Sequence, residues 1–259
     1  MSAAGAEFSA AGGDLPAGGD ATVLSVAIRA KTYRPKGAEP VEAVRDLAFA
    51  VGRGEIVCLI GPSGAGKTTT LRILLGLDPD FEGRVAGAEG AGMVFQEPRL
   101  LPWRSVEHNV RLGLPRPERG ARDLDALFER LGLGPWRARY PGALSLGMQR
   151  RVALARALAS GPRVLVLDEP FVSLDDAAAA GLRALVVDAV DTAGTSVLMV
   201  THNVAEAIAV ADRLLLVSKR PASLVADVAL DRPRGARDRA WADATRQALA
   251  QRHPEVIAE

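Results

Sequence analysis

An α/β fold is predicted, with a mostly parallel core sheet, antiparallel strands beside it and a helical subdomain inserted in the chain. Residues 56–60, 164–167, 196–200 and 214–217 are short, near-continuous apolar runs. Runs of this length without polar alternation suit strands covered on both faces, the usual state of strands in a parallel sheet. Residues 21–30 and 41–51 also have strand-like spacing but no helical stretch between them, so they are expected to pair antiparallel. Between residues 100 and 160 the periodicity is mainly helical. With 259 residues, 48% of them hydrophobic, the chain can bury one large α/β domain with a helical insert and is too short for a third full domain.

Residues 1–20 are rich in Ala and Gly and are expected to form a flexible tail, leaving 21–259 as a single domain. After the strand at 21–30, Lys31-Thr32-Tyr33-Arg34-Pro35-Lys36-Gly37 reads as a basic loop. The strand at 41–51 turns at Arg53-Gly54 into the apolar run 56–60, and a helix from Lys67 should stop at Gly76. Pro79, Gly83, Gly87, Gly90 and Gly92 punctuate a turn-rich stretch with short strands near Arg84-Val85 and Met93-Val94-Phe95. Pro98 and Pro102 then rule out a regular helix over 96–103. If Leu100, Leu101 and Trp103 of that loop are exposed, they form a contact surface; if they turn inward, they are core. Ser105 opens a helix, and Leu124, Leu127, Phe128 and Leu131 fall at helical spacing. Residues 148–160 read as an amphipathic helix with Arg150, Arg151 and Arg156 facing partly outward. The strands at 164–167 and 196–200 lead into helices at 175–190 and 204–211. The segment 221–259 is expected to be a loose surface hairpin followed by a helix near 240–250.

A formal net charge of +1 gives no field of the kind that marks a dedicated nucleic-acid binder, and no nucleic-acid partner is expected. Cys58 is the only cysteine, so an internal disulfide is excluded and a reducing compartment fits. No apolar stretch reaches the ~20 residues of a membrane helix, and the first twenty residues lack a secretory pattern. The expectation is a soluble chain that meets a membrane only through a partner.

The chemistry centres on Gly61-Pro62-Ser63-Gly64-Ala65-Gly66-Lys67-Thr68, set between an apolar strand and a helix. In that context the G-x-x-x-x-G-K-[ST] spacing makes a phosphate cradle: glycines let successive N–H groups turn inward, and the helix start adds its unpaired donors and dipole. Lys67 would carry a point charge to the β- and γ-phosphates, and the Thr68 hydroxyl would ligate Mg²⁺. Gly61, Ser63, Gly64, Gly66, Lys67, Thr68 and Thr69 are therefore the candidates for nucleotide binding. Asp168 and Glu169 end the strand at 164–167 and point different ways. Asp168 suits a metal held through its water shell, and Glu169 suits orienting or deprotonating an attacking water. Gln96 ends a strand before the proline-rich loop, where its amide could touch the metal shell or the water. His202 ends the strand at 196–200, close to where ligands collect on parallel sheets, and could reach a γ-phosphate. His108 and His253 have no comparable setting, and no zinc cluster is supported.

Over about residues 24–220 the chain resembles the ATPase subunits of ABC transporters. The loop at 61–68 fits that family's Walker A motif, and Val164-Leu165-Val166-Leu167-Asp168-Glu169 fits its Walker B motif with the catalytic glutamate. Gln96 falls in the Q-loop, Ser173-Leu174-Asp175 resembles the D-loop, and His202 the switch histidine. Leu144-Ser145-Leu146-Gly147-Met148-Gln149 is similar to the LSGGQ signature and precedes Arg150-Arg151-Val152-Ala153-Leu154-Ala155-Arg156-Ala157. The resemblance implies a P-loop NTPase fold of the ABC ATPase kind, with ATP and Mg²⁺ as substrate and cofactor. It also implies a head-to-tail homodimer in which Ser145 and the Gly147 N–H meet the γ-phosphate bound by the other copy. Tyr33 aligns with the aromatic that stacks on adenine.

Two departures stand out. Leu146 replaces the first signature glycine, which removes conformational freedom, and Asn203 replaces the aspartate usual after the histidine. The segment Phe95-Gln96-Glu97-Pro98-Arg99-Leu100-Leu101-Pro102-Trp103 and the Ser-Leu-Gly-Met signature resemble importer subunits of the nitrate/sulfonate/taurine type. That resemblance implies a transmembrane permease whose coupling helix contacts Leu100 to Trp103. It further implies a periplasmic or extracellular solute-binding protein, and a place on the cytoplasmic face of a bacterial cell membrane. An ATPase for a vitamin-precursor importer or a lipid-trafficking system, or a non-transport ABC protein acting on nucleic acid, are the alternatives left open by the motifs.

Overall fold

The computed structural model describes residues 8–9 and 21–257. The tail expected over residues 1–20 lies outside these, apart from Phe8–Ser9, which form a two-residue strand. The chain divides into two compact units, Met1–Glu89 with Ser196–Glu259, and Gly90–Thr195. The first contains β1 (Phe8–Ser9), β2 (Thr22–Tyr33), β3 (Val41–Gly52), β4 (Ile56–Ile60), α1 (Lys67–Leu74) and β5 (Glu82–Ala86). The second contains β6 (Gly92–Val94), α2 (Val106–Arg111), α3 (Asp125–Arg130), α4 (Leu146–Leu158), β7 (Val164–Asp168) and α5 (Asp176–Ala193). The chain then returns to the first unit with β8 (Ser196–Thr201), α6 (Val204–Val210), β9 (Arg213–Val217), β10 (Leu224–Ala229) and α7 (Arg239–Arg252).

In the first unit β4 is buried along its whole length and lies parallel to β8 on one side and β9 on the other, with Ile60 opposite Thr201 and Leu216. This explains the unbroken apolar run of β4, since both faces are covered. β10 adds antiparallel to β9, and Phe8 of β1 pairs with Val228 of β10. A second, antiparallel sheet runs β3-β2-β5, with Leu24, Val26, Ile28, Leu47 and Phe49 in the core.

Two expectations are corrected here. Lys31 and Tyr33 belong to β2 rather than to a basic loop. Lys31 is only 3% exposed because its ammonium pairs with Asp78 at 2.7 Å and also donates to the Asp80 carbonyl, so its charge is satisfied inside the fold. The segment after residue 221 is not a loose hairpin. β10 is a sheet member whose Asp227 accepts from Arg213 at 2.7 Å, and Arg213 also binds Glu55 at 2.7 Å. α7 is anchored by buried Trp241 and Leu249, and the neighbouring Arg237 donates to the Ile208 and Ala211 carbonyls at the end of α6, each at 2.7 Å.

In the second unit β6 and β7 pair in parallel, Val94 opposite Leu167. The helices pack around Val106, Val110, Leu114, Phe128, Leu131, Val152 and Leu154. Three of them begin on side-chain caps, Ser105 for α2, Ser145 for α4 and Asp175 for α5, and α5 ends at Gly194 with φ +65°. Arg151 and Arg156 are half-buried, but Arg150 is 3% exposed and not on the outer face as its charge suggested. Its guanidinium finds backbone carbonyls inside the unit. Asn109, fully buried, shapes the proline-rich loop: its Oδ1 accepts from the Leu101 N–H at 2.7 Å. Its Nδ2 donates to the Leu101, Arg104 and Ser105 carbonyls at 3.0–3.1 Å.

Candidate active site

The first unit builds the phosphate loop. Residues 61–66 leave the end of β4 and enter α1 at Lys67, with the geometry set by close approach. A Cβ on Gly61 would lie 2.5 Å from Val217 Cγ2, and one on Gly66, at φ +105°, would lie 2.4 Å from the Ala43 carbonyl oxygen. Glycine is the residue that fits both places. Lys67 is buried, its Nζ donating to the Gly61 and Pro62 carbonyls at 2.5 and 2.9 Å, which draws the ammonium into the loop. Ser63, Gly64 and Thr68 are exposed on it, and Thr69 is half-buried. No acidic residue stands in the first turn of α1, so its positive dipole end is not offset by a neighbouring carboxylate. Together these groups suit a polyphosphate.

Tyr33, 37% exposed at the end of β2, is held beside that helix. Its hydroxyl donates to Asp78 at 2.9 Å and lies 3.5 Å from Thr69 Oγ1. Lys31 Nζ stands 4.7 Å from the ring centroid, over one face of the ring. The hydrogen bond from Lys31, with one from Tyr33, outweighs partial burial and holds the Asp78 carboxyl below its ordinary range. His202 follows β8, and the pairing of Ile60 with Thr201 sets it level with Gly61 at the same end of the two strands. It is exposed, and lines a groove of about 1250 Å³ with Asn203, Arg239, Arg246 and Gln247. Asn203 has a clear local role in place of the usual aspartate. Its Oδ1 accepts from the Ala205 and Glu206 N–H groups at 3.0 and 3.2 Å and caps α6 without a charge.

The second unit gathers the carboxylates. Asp168 ends β7, and Glu169 follows with φ +46°, a left-handed backbone that swings it out of the strand line. The β6–β7 register puts Gln96, two residues past Val94, at the same end of the strand pair as Asp168 and Glu169. Gln96 is exposed and the two acids are half-buried. Ser145 is the N-cap of α4, its Oγ accepting from the Met148 N–H at 3.3 Å. Leu146 is the first residue of that helix, so no left-handed backbone is demanded of it, and the departure from glycine carries no conformational strain. Gly147 is the constrained position: a Cβ there would lie 3.0 Å from the Ala178 Cβ of α5.

Two arginines of α4, read from the sequence only as facing partly outward, hold main-chain oxygens of the second unit. Arg150 donates to the Glu169 and Val172 carbonyls at 3.3 and 3.0 Å. Arg156 donates to the Arg99 and Pro98 carbonyls, both at 2.8 Å. Their targets are main-chain oxygens, which leave no mark in a sequence; the signal that could have found Arg150 is a charge on the helix face that also carries Ala153, Leu154 and Ala157, all buried. The same unit settles the alternatives left for the proline-rich loop. Trp103 is 68% exposed, Leu100 and Leu101 are half-buried, and Leu101, Trp103, Arg104, His108 and Leu112 line a groove of about 610 Å³.

Among the described residues no group of three or more His, Cys, Asp or Glu side chains is placed to hold a metal alone. The donors on offer are the exposed Thr68 hydroxyl in the first unit and Asp168 with Gln96 in the second. Each is an oxygen donor of the kind Mg²⁺ takes, the ion using one or two protein oxygens and completing its shell with water and phosphate oxygens.

Residues 44–172 match the family model described as ABC transporter. The chain is 44% identical over 200 residues to the aliphatic sulfonates import ATP-binding protein SsuB 2 of Paracoccus denitrificans, covering 77% of this chain and 81% of that one. It is 42% identical over 221 residues to the aliphatic sulfonates import ATP-binding protein SsuB 1 of Pseudomonas savastanoi pv. phaseolicola, covering 83% and 91%. Among solved structures, it is similar to a dimeric ATP-binding cassette in a post-hydrolysis state bound to ADP and Pi. The TM-score is 0.67 at 27% identity, over 81% of this chain and all of the other.

Proposed function

The chain belongs to the ABC transporter family of ATP-binding proteins, and from that membership we propose that it powers the import of an anionic, sulfonate-type solute. It is an ATPase: it binds ATP with Mg²⁺ and hydrolyses it, works in a dimer, and is the membrane-associated partner of a permease. Among the described residues no helix is long and apolar enough to cross a membrane. The observation that carries the ATPase reading is the phosphate loop, where Gly61 and Gly66 allow close approach and Lys67 is drawn inward.

In the proposed mechanism Lys67 and the loop N–H groups hold the β- and γ-phosphates, with Ser63, Gly64, Thr68 and Thr69 completing the cradle. When bound, Mg²⁺ neutralises charge on the phosphate oxygens; Thr68, Asp168 and Gln96 are the residues that would hold it. Glu169 orients the attacking water and takes its proton, and His202 donates a hydrogen bond to the γ-phosphate. Tyr33 offers its free ring face to the adenine. The dimer is a homodimer in which Ser145 and the Gly147 N–H, at the start of the 13-residue α4, bind the γ-phosphate held by the other copy. The groove at Leu101 and Trp103 receives the permease, exposed tryptophan being a common anchor at such contacts. The solute reaches the permease on a separate solute-binding protein, and the ATPase sits on the cytoplasmic face of a bacterial inner membrane.

The test is reconstitution with a sulfonate-importer permease and its solute-binding protein. ATP turnover and uptake should both rise when the binding protein carries an alkanesulfonate and stay low with nitrate or a sugar. Stimulation by another solute class would replace the sulfonate assignment, and absence of ATP turnover would remove the whole reading.

A further inference from the structure

The turn that follows the catalytic strand is held from a different element by one buried cation. Arg150 Nη1 donates to the Glu169 carbonyl at 3.3 Å and Nη2 to the Val172 carbonyl at 3.0 Å. Between and beyond these contacts the chain bends sharply, with positive φ at both Glu169 (46°) and Ser173 (64°). Such backbone needs its surroundings to hold it, and here the guanidinium spans the turn from its first residue to its fourth.

Burying a guanidinium is costly, and Leu or Met would fill the same space on α4 without that cost. The cost is incompletely recovered even so, because Arg150 Nε is buried without a hydrogen-bond partner. Simple packing therefore accounts poorly for the residue. The planar fork, reaching two carbonyls at once, accounts for it well.

We propose that Arg150 is a positioning residue for ATP hydrolysis: by fixing the carbonyl of Glu169 it sets the direction in which the Glu169 carboxylate leaves the strand end. This rests on the reading of Glu169 as the group that orients the attacking water. Because Arg150 lies on the helix that opens with Ser145, the same helix that presents the signature also aims the carboxylate.

A double-mutant cycle on the full-length protein tests this, with Arg150→Met, Arg150→Lys, Glu169→Gln and the double variant Arg150→Met/Glu169→Gln. A misdirected carboxylate should lower the kcat of Arg150→Met by about 100-fold while KM for ATP stays within about threefold of the parent. Arg150→Lys, which keeps one donor, should recover part of the loss. In the Glu169→Gln background the Arg150→Met change should have little further effect on kcat, since the group it acts through is gone. A general loss of fold would instead raise KM, lower the melting temperature and persist undiminished in that background. Normal turnover in Arg150→Met, or an undiminished loss in the double variant, overturns the proposal. If Arg150→Met does not fold, Arg150→Lys decides: normal kcat with an unchanged pH–rate profile overturns the proposal, and a reduced kcat at unchanged KM supports it. Normal turnover of Glu169→Gln alone would remove the reading of Glu169, an outcome distinguishable from failure at Arg150.

Discussion

Lys31 and Asp78, 47 residues apart in the chain, meet at 2.7 Å in a nearly dry site, and the same ammonium lies 4.7 Å from the centre of the Tyr33 ring. One ion pair thus fixes the end of β2 against the segment after α1 and orients the aromatic proposed to meet the base. Removing one partner of a buried pair leaves the other without compensation. Lys31→Met is expected to destabilise the protein by about 2–4 kcal/mol and to weaken nucleotide binding. Thermal melts and titration with a fluorescent ATP analogue measure the two effects.

The pair also predicts a pH dependence. Asp78 is held below the usual carboxylate range, chiefly by the hydrogen bond from Lys31. Its contribution is therefore present above an unfolded-state pKa of about 3.9 and is lost as pH falls through the lower folded value. Burial pulls Lys31 down, but the hydrogen bond and charge of Asp78, with those of Asp80, outweigh it and raise the group. Its contribution is complete below about pH 10.4 and lost as pH rises through the folded value. The stability gap between the parent and Lys31→Met/Asp78→Asn should be flat across neutral pH and narrow at both extremes. A gap that kept changing between about pH 6 and 9 would contradict the assignment.

Lys67→Ala and Glu169→Gln should separate binding from chemistry. Removing Lys67 takes the charge out of the loop, so ATP affinity should fall by at least about tenfold in a nucleotide titration. Glu169→Gln should bind ATP and accumulate a dimer, visible by light scattering, while turnover drops by about 100-fold or more. Near-normal turnover in that variant would falsify the assigned role.

Trp103 projects from the proline-rich loop and has little internal packing to lose. Trp103→Ala should change stability by less than about 0.5 kcal/mol. Copurification with the permease and solute uptake should both fall. Unaltered copurification would move the permease contact elsewhere.

Cys58 lies in the middle of β4 with no exposed surface, and burial raises its thiol pKa well above the ordinary value. Ellman's reagent should find no reactive thiol in the native protein and one per chain after denaturation. Rapid native labelling would show that β4 opens.

Much of this architecture was legible because the signals are local. β4, β7, β8 and β9 each announce themselves by apolar runs, and the phosphate loop by a spacing that only one backbone path satisfies. What stayed hidden depends on partners distant in the chain. Lys31 looks like a surface charge until Asp78 is placed beside it. The prolines and arginines after residue 220 made the region of β10 read as a loose surface hairpin, yet it is a sheet member whose Asp227 pairs with Arg213 of β9. Arg150 and Asn109 bind main-chain atoms, and a carbonyl has no identity in a sequence. The left-handed backbone at Glu169 was equally invisible, since nothing about glutamate foretells a positive φ.

α4 begins at Ser145, grips the strand end through Arg150 and holds the Pro98 and Arg99 carbonyls through Arg156. Two arginines six residues apart on this 13-residue helix therefore tie it both to the strand end and to the proline-rich loop. The tryptophan-bearing loop, the carboxylate bend and the Ser145 cap thus all attach to a single helix. On the proposed permease contact, a substitution that loosens either tie is expected to uncouple ATP turnover from uptake before it harms the fold.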